Sequence, residues 1–238
     1  KSKEALRKLT LGQIHSFLRR VFGHYARQTM AEVVGAMRRF LRFEFMSGVL
    51  REPLHLRLES TRIYRQERLA RALPWPQLRS VLELMDRSTP TGRRDYAMLL
   101  LAASYGLRCS EVAALSVDDI DWRARLLRVS APKTGQNMVL PLTDGMANAL
   151  VDYLRRGRPV SDSRRLFLRV RAPAGVLGAH GVACSLKRAA RATGVSIQTT
   201  SFHALRHAFA LRLLRRGAAL DHISGVLGHR DPNTTSTY

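Results

Sequence analysis

The chain has 238 residues, enough for one large or two modest domains, each with its own core. Forty Lys plus Arg stand against 18 Asp plus Glu, a formal charge of +22, while 45% of the residues are apolar. This composition excludes a disordered polyampholyte, and no apolar run approaches the roughly 18 residues of a membrane-spanning helix.

The positive excess is spread along the chain, and such self-repulsion resists compaction unless a polyanion neutralises it. Only five of the forty cations are Lys; the rest are Arg, whose planar fork binds phosphate oxygens in pairs. Nucleic acid is the expected partner. An anionic membrane surface is the weaker alternative, since no isolated basic amphipathic segment stands out, and a merely solvated basic surface is the bland one. The N-terminus has no apolar signal core, so a cytoplasmic protein is expected; it opens on Lys1 rather than Met, as a fragment would. Cys109 and Cys184 are too few for a disulfide framework, and no His or Cys is read near them at metal-ligand spacing. Both are assigned to packing.

Thr10 followed by Gln13 has capping-box spacing and predicts a helix over residues 10–22, with Leu11, Ile14, Phe17, Leu18 and Val21 on one face. A second helix is predicted over 29–46, its stripe running through Met30, Val33, Val34, Met37, Phe40, Leu41 and Phe45, with Gly48 and Pro53 closing it. The periodicity then weakens and charge rises, which marks residues 55–72 as an interdomain linker between a small all-helical unit (1–54) and a second domain (73–238). Helices are predicted from Pro74 and Pro76 to about Met85, and over 93–105. Leu126, Leu127 and Val129, then Met138, Val139 and Leu140, flank Pro132-Lys133-Thr134-Gly135 and read as a β-hairpin. Helices over 143–155, 178–192, 202–215 and 220–227 follow, and Leu166-Phe167-Leu168 reads as one further strand. The fold class expected is mainly α with a small β-sheet, an α+β domain preceded by an all-α one.

Three clusters carry chemistry. In Gly106-Leu107-Arg108-Cys109-Ser110-Glu111, Gly106 ends one helix and Cys109 or Ser110 starts the next, so Arg108 stands at a corner where it can cap a helix or face a ligand. In His203-Ala204-Leu205-Arg206-His207, His203 and Arg206 are three apart and can converge on an anion near a helix N-terminus. With eight His and 35 Arg, this pattern arises about once by chance; His24 and Arg27 form the accidental copy. In the third, Leu227-Gly228-His229 is followed nine positions on by Tyr238, a residue that is either a packing tyrosine or a nucleophile able to hold a phosphate ester.

A corner arginine, a hairpin lysine, His-x-x-Arg, Leu-Gly-His and a following tyrosine, in this order, resemble the tyrosine recombinase (phage integrase) family. The resemblance spans about residues 73–238 and implies the roles. Arg108 and Arg206 would clamp the scissile phosphate as charge builds on it, His203 and His229 would hydrogen-bond that phosphate or manage the tyrosine proton, Lys133 would protonate the departing 5′-oxygen, and Tyr238 would be the nucleophile. Glu111 would support Arg108, and His207 would pack beside Arg206. The resemblance also implies double-stranded DNA as partner, a tetramer on paired sites in the full-length protein, association with the nucleoid, and a core-binding role for the helical first domain. No cofactor, ATP or metal is expected, because the cationic side chains already surround the phosphate and no carboxylate cluster is visible to hold a cation. The family usually continues past its tyrosine with a helix that docks on a neighbour, whereas this sequence ends at Tyr238. Two alternatives remain open at this level: the nicking-closing activity of a type IB topoisomerase, and a noncatalytic DNA-binding protein on a decayed recombinase scaffold.

Overall fold

A computed structural model describes residues 2–25, 27–59, 72–130, 137–173 and 175–228, in two compact units, Lys1–Arg68 and Leu69–Tyr238. The linker stretch 60–71, the hairpin turn with Lys133, and the segment with His229 and Tyr238 lie outside the described residues.

The first unit contains α1 (Ser2–Arg7), α2 (Leu11–Phe22) and α3 (Arg27–Met46), followed by a 3-10 turn at Leu54–Leu56. The capping box forms as expected: Gln13 N donates to Thr10 Oγ1 at 3.4 Å, and Thr10 N donates to Gln13 Oε1 at 3.0 Å. Ile14, Leu18, Met30, Val34, Leu41, Leu50, Leu54 and Leu58 form the core. The expected stripes were too wide: Phe17 of α2 and Phe40 of α3 are exposed. A unit this small buries a limited share of its surface, and the few elements present cover only the centre of each stripe.

The second unit is organised around α5 (Pro90–Tyr105), whose Ala97, Met98, Leu99, Leu101 and Ala102 are completely buried. Thr89 caps it, accepting from Gly92 N at 3.1 Å, and Pro90 occupies the first helical position, where a missing N–H costs nothing. The helix therefore starts three residues before the predicted 93. Before it comes α4 (Trp75–Leu84); after it come α6 (Cys109–Ala114), α7 (Asp144–Arg156), α8 (Ala179–Ala183), α9 (Ser185–Thr193), α10 (His203–Arg215) and α11 (Leu220–Leu227), with α7, α9 and α10 packed on α5.

The predicted hairpin is present as β2 (Leu126–Ser130) and β3 (Asn137–Pro141), antiparallel with Leu127 opposite Leu140 and Ser130 opposite Asn137. Leu127 and Val129 face the core while Arg128 and Ser130 face solvent. A two-residue strand, β1 (Ile120–Asp121), which the sequence did not announce, pairs with β2 and completes a three-stranded sheet.

Two expectations are corrected. Leu166-Phe167-Leu168 is not a strand: it threads the core almost fully buried, held by single bridges (Ser116 with Arg165, Leu168 with Val176) and by bonds such as Leu166 N to Leu115 O at 2.8 Å. An apolar run reports burial, not the presence of a ladder partner. The helix expected over 178–192 breaks at Cys184 into α8 and α9. That cysteine also has a neighbour the sequence reading overlooked, since His180 Nε2 lies one turn back at 3.7 Å from its sulfur. Both cysteines are free and partly buried. Among the described residues no group of three or more His, Cys, Asp or Glu is placed to hold a metal, and no helix is long and apolar enough to cross a membrane.

Candidate active site

The site is built where α5, α6, α10 and α11 meet. Gly106 ends α5 in the left-handed conformation (φ +66°), its N–H donating to Ala102 O at 2.9 Å. A Cβ there would come within 2.7 Å of the Phe209 ring and 2.9 Å of Leu227, so only glycine allows α10 and α11 to close on this corner. The chain turns through buried Leu107, and Arg108 becomes the N-cap of α6.

Glu111, in the first turn of α6, is 2% exposed and reaches back to that cap. Its Oε2 accepts from Arg108 N at 2.8 Å, and its Oε1 accepts from Arg108 Nη1 at 2.6 Å. One carboxylate thus fixes both the backbone and the guanidinium of Arg108, whose side chain remains 26% exposed. From α10, Arg206 enters behind this pair and is 1% exposed, with Nη1 4.0 Å from Glu111 Oε2. Its Nη1 donates to Gly106 O at 2.8 Å and its Nη2 donates to Leu227 O. These carbonyls close the C-terminal ends of α5 and α11, where the helix dipoles concentrate negative charge. Two guanidiniums share one carboxylate, so a net positive charge is held in a nearly dry corner.

His203 opens α10 and keeps an accessible face, whereas Arg206, one turn on, points inward. Loss of water around the imidazole, then repulsion from Arg206 and Arg108, hold the His203 pKa below its ordinary 6.5. That shift favours the neutral ring. Its neighbour His207 meets it edge-on, with centroids 4.5 Å apart. The structure therefore brings together Arg108, Glu111, Arg206, His203 and His207. α11 stops at left-handed Gly228 (φ +60°), the last described residue before His229. Lys133, His229 and Tyr238 are outside the described residues.

Sequence reasoning missed one anchor. Tyr105, the last residue of α5, donates from its hydroxyl to Pro141 O at 2.5 Å and so ties the base of the hairpin to the residue before Gly106. Its signal was a tyrosine just after the apolar run of residues 97–103, a polar tip that must find a partner when buried.

Residues 72–238 match the family model described as the phage integrase family. The chain belongs to the phage integrase family. Among curated relatives of this family, it is 37% identical over 98% of its length to y4rA, assigned to the integrases/recombinases of Sinorhizobium fredii, and 36% identical over 90% of its length to the tyrosine recombinase XerC of Roseiflexus castenholzii. It spans 68% of that XerC, but 57% of y4rA and 50% of a second S. fredii relative, y4rF. Among solved structures, a lambda integrase dimer bound to a COC′ core site superimposes with a TM-score of 0.74 at 17% identity, covering 98% of this chain and 80% of that one. The XerH recombinase in a post-cleavage complex with palindromic difH gives 0.76 at 18% identity, covering 97% and 69%. At such identities the likeness is one of fold, and the mainly helical unit with its small antiparallel sheet is the fold of the integrase catalytic domain.

Proposed function

We propose that this chain is the DNA-cleaving part of a site-specific recombinase, which breaks and rejoins duplex DNA through a 3′-phosphotyrosyl intermediate on Tyr238. The observation that carries the reading is the meeting of Arg108 and Arg206, 98 positions apart in sequence, on the single carboxylate of Glu111. A pentacoordinate phosphorane gains negative charge, and a preorganised cationic corner of low dielectric stabilises that charge most where it develops. The names of the relatives, and the DNA complexes of lambda integrase, XerH and the Tn1549 integrase, support the substrate class.

In this reading Arg108 presents its free guanidinium edge to a nonbridging phosphate oxygen, and Arg206 holds the corner positive and in shape. His203, whose neutral form is favoured beside the two guanidiniums, accepts or relays a proton, and His207 buttresses it. His229 completes the phosphate contacts, Lys133 protonates the 5′-oxygen, and Tyr238 attacks phosphorus. The phosphotyrosine conserves the bond, so no ATP and no cofactor is required, and the cations make a divalent metal electrostatically redundant. Residues 73–238 act as the catalytic domain and the helical first unit as a core-binding domain, with the linker expected over 55–72 starting only after Leu58, which packs in that unit's core; the complete protein works as a tetramer on paired sites at the nucleoid, in the cytoplasm.

The test is a suicide duplex nicked next to the cleavage position, incubated with EDTA and without ATP. The wild-type chain is expected to form a covalent 3′-phosphotyrosyl adduct, and Tyr238→Phe to bind the duplex and form none. An adduct that persists in Tyr238→Phe overturns the assignment.

A further inference from the structure

At the other end of α5 from Arg108 lies a cavity of about 340 Å³ lined by Thr91, Leu177 and four arginines, Arg94, Arg169, Arg171 and Arg188. Its floor is built like the candidate active site. Asp95, 4% exposed, accepts from Arg94 Nε at 3.0 Å and Nη2 at 2.9 Å, and from Arg188 Nε at 2.7 Å and Nη2 at 3.0 Å. Arg94 Nη1 also donates to Leu168 O at 3.1 Å, and Arg188 Nη2 to Gly181 O at 3.2 Å. These bonds lock both guanidiniums in place, yet one carboxylate neutralises only one of them. Above them, Arg169 and Arg171 are exposed on a tight return closed by Arg169 N to Gly175 O at 2.8 Å and Leu177 N to Phe167 O at 3.1 Å. Among the described residues, neither has a carboxylate within 4.0 Å.

Four guanidiniums around one cavity with one shared carboxylate repel one another, and the two that are fixed cannot swing away to relieve it. A bound anion removes that cost. The guanidinium fork matches phosphate oxygens in pairs, and Thr91 adds a hydroxyl from the first turn of α5, the positive end of its dipole. The volume is at the lower bound of ligand sites, about 300 Å³, which admits a phosphate with its ester substituents. We infer that this cleft binds a phosphate group distinct from the one at the proposed cleavage site. Arg94 and Gly106 stand twelve positions apart along α5, roughly 18 Å on its axis, so one phosphate cannot serve both clusters. The phosphate comes either from the backbone of bound duplex or from a free phosphorylated compound, and the recognising chemistry is the same.

The experiment uses the whole chain, with the wild type, the double variant Arg169→Ala/Arg171→Ala and the charge-retaining Arg169→Lys/Arg171→Lys. In one arm, affinity for a short duplex of unrelated sequence is measured against salt concentration. In the other, thermal unfolding is followed with inorganic phosphate or pyrophosphate at constant ionic strength. For a backbone phosphate, the double alanine variant loses about tenfold in affinity and its log–log salt slope becomes shallower by about 1–2, while the lysine variant keeps most of both. For a free phosphate compound, phosphate raises the wild-type Tm but not that of the alanine variant, and the duplex slope is unchanged. If the alanine substitutions alter neither the salt slope nor the response to phosphate, the cleft is not a phosphate site. Both side chains are exposed, and circular dichroism verifies that the variants remain folded. A wild-type chain that forms no phosphotyrosyl adduct, yet loses salt slope on substitution, defeats the recombinase reading and leaves the cleft standing. Adduct formation with no response in either arm does the reverse.

Discussion

Two clusters at opposite ends of α5 share one construction and differ in how they meet solvent. At the C-terminal end Glu111 joins Arg108 and Arg206; at the N-terminal end Asp95 joins Arg94 and Arg188. In each, one arginine is buried and bonded to backbone, Arg206 to two carbonyls and Arg94 to one, and the other emerges, Arg108 at 26% and Arg188 at 38% side-chain exposure. The carboxylate does the same work in both, since it lets a buried guanidinium and a partly exposed one remain side by side. What differs is the backing. Arg206 binds the ends of two helices, so the corner is rigid and its charge is aimed, whereas the Asp95 cluster opens into a cleft flanked by two exposed arginines. The same ion-pair device is thus set in two surroundings, a closed corner and an open cleft.

Both clusters should depend most on their carboxylates. Glu111→Ala and Asp95→Ala each leave two guanidiniums without their shared partner, one of them deeply buried, which costs about 3–5 kcal/mol. Calorimetry or denaturant titration should show both losses. If Asp95→Ala is silent, the N-terminal cluster is a solvated surface and the parallel fails. Removing the emerging arginine at the C-terminal end is the next test: Arg108→Ala should slow adduct formation by about 10²–10³ with a much smaller loss of duplex affinity, as when one preorganised donor to a transition state is deleted. Arg206→Ala should lose cleavage too, but with a lowered Tm, because it also unties Gly106 from Leu227. Near wild-type cleavage in Arg108→Ala would remove it from the mechanism.

Gly106, at the turn before Arg108, tests the closeness of that corner. Gly106→Ala imposes a left-handed conformation on a residue with a Cβ and drives that Cβ against Phe209 and Leu227. The strain is roughly 1–2 kcal/mol and the overpacking a further 1–3 kcal/mol. Gly194, also left-handed but with open space around it, gives the comparison: Gly194→Ala should cost the conformational part alone. Equal losses in the two variants would show that the close approach of α10 and α11 contributes nothing.

The comparison also shows what a sequence reveals. The C-terminal cluster was legible because Arg108 and Glu111 are one helical turn apart and belong to an ordered set of motifs. The N-terminal cluster was not, because Arg188 meets Asp95 across 93 positions and no local period records such a pairing. Local chemistry announced the capping box at Thr10, the buried α5 and the pairing of β2 with β3. It could not say that Phe17 and Phe40 would be left uncovered, that Leu166-Phe167-Leu168 would lack a ladder, or that Arg206 would turn inward while His203 turned outward. Each of those depends on how many neighbours the fold brings, and periodicity along one element does not contain that count.

His203 also feels both arginines of the C-terminal cluster, and the expected effect there is modest. Desolvation, then Arg206 and Arg108, push its pKa below 6.5 in the folded chain. The unfolded chain takes up this proton first as pH falls, so the folded state loses stability on going from pH 7 down through 6.5 toward the lower folded pKa. His203→Gln should abolish that part of the acid decline and leave the neutral-pH side unchanged. A phosphate at the corner places negative charge beside the ring and offsets the two guanidiniums, so duplex binding should move the pKa back up. NMR titration of the imidazole, assigned by the Gln variant, reads both states. A free-chain value at or above 6.5 would mean that the guanidiniums are screened from the ring, and an unmoved value on binding duplex would mean that no phosphate enters the corner they form.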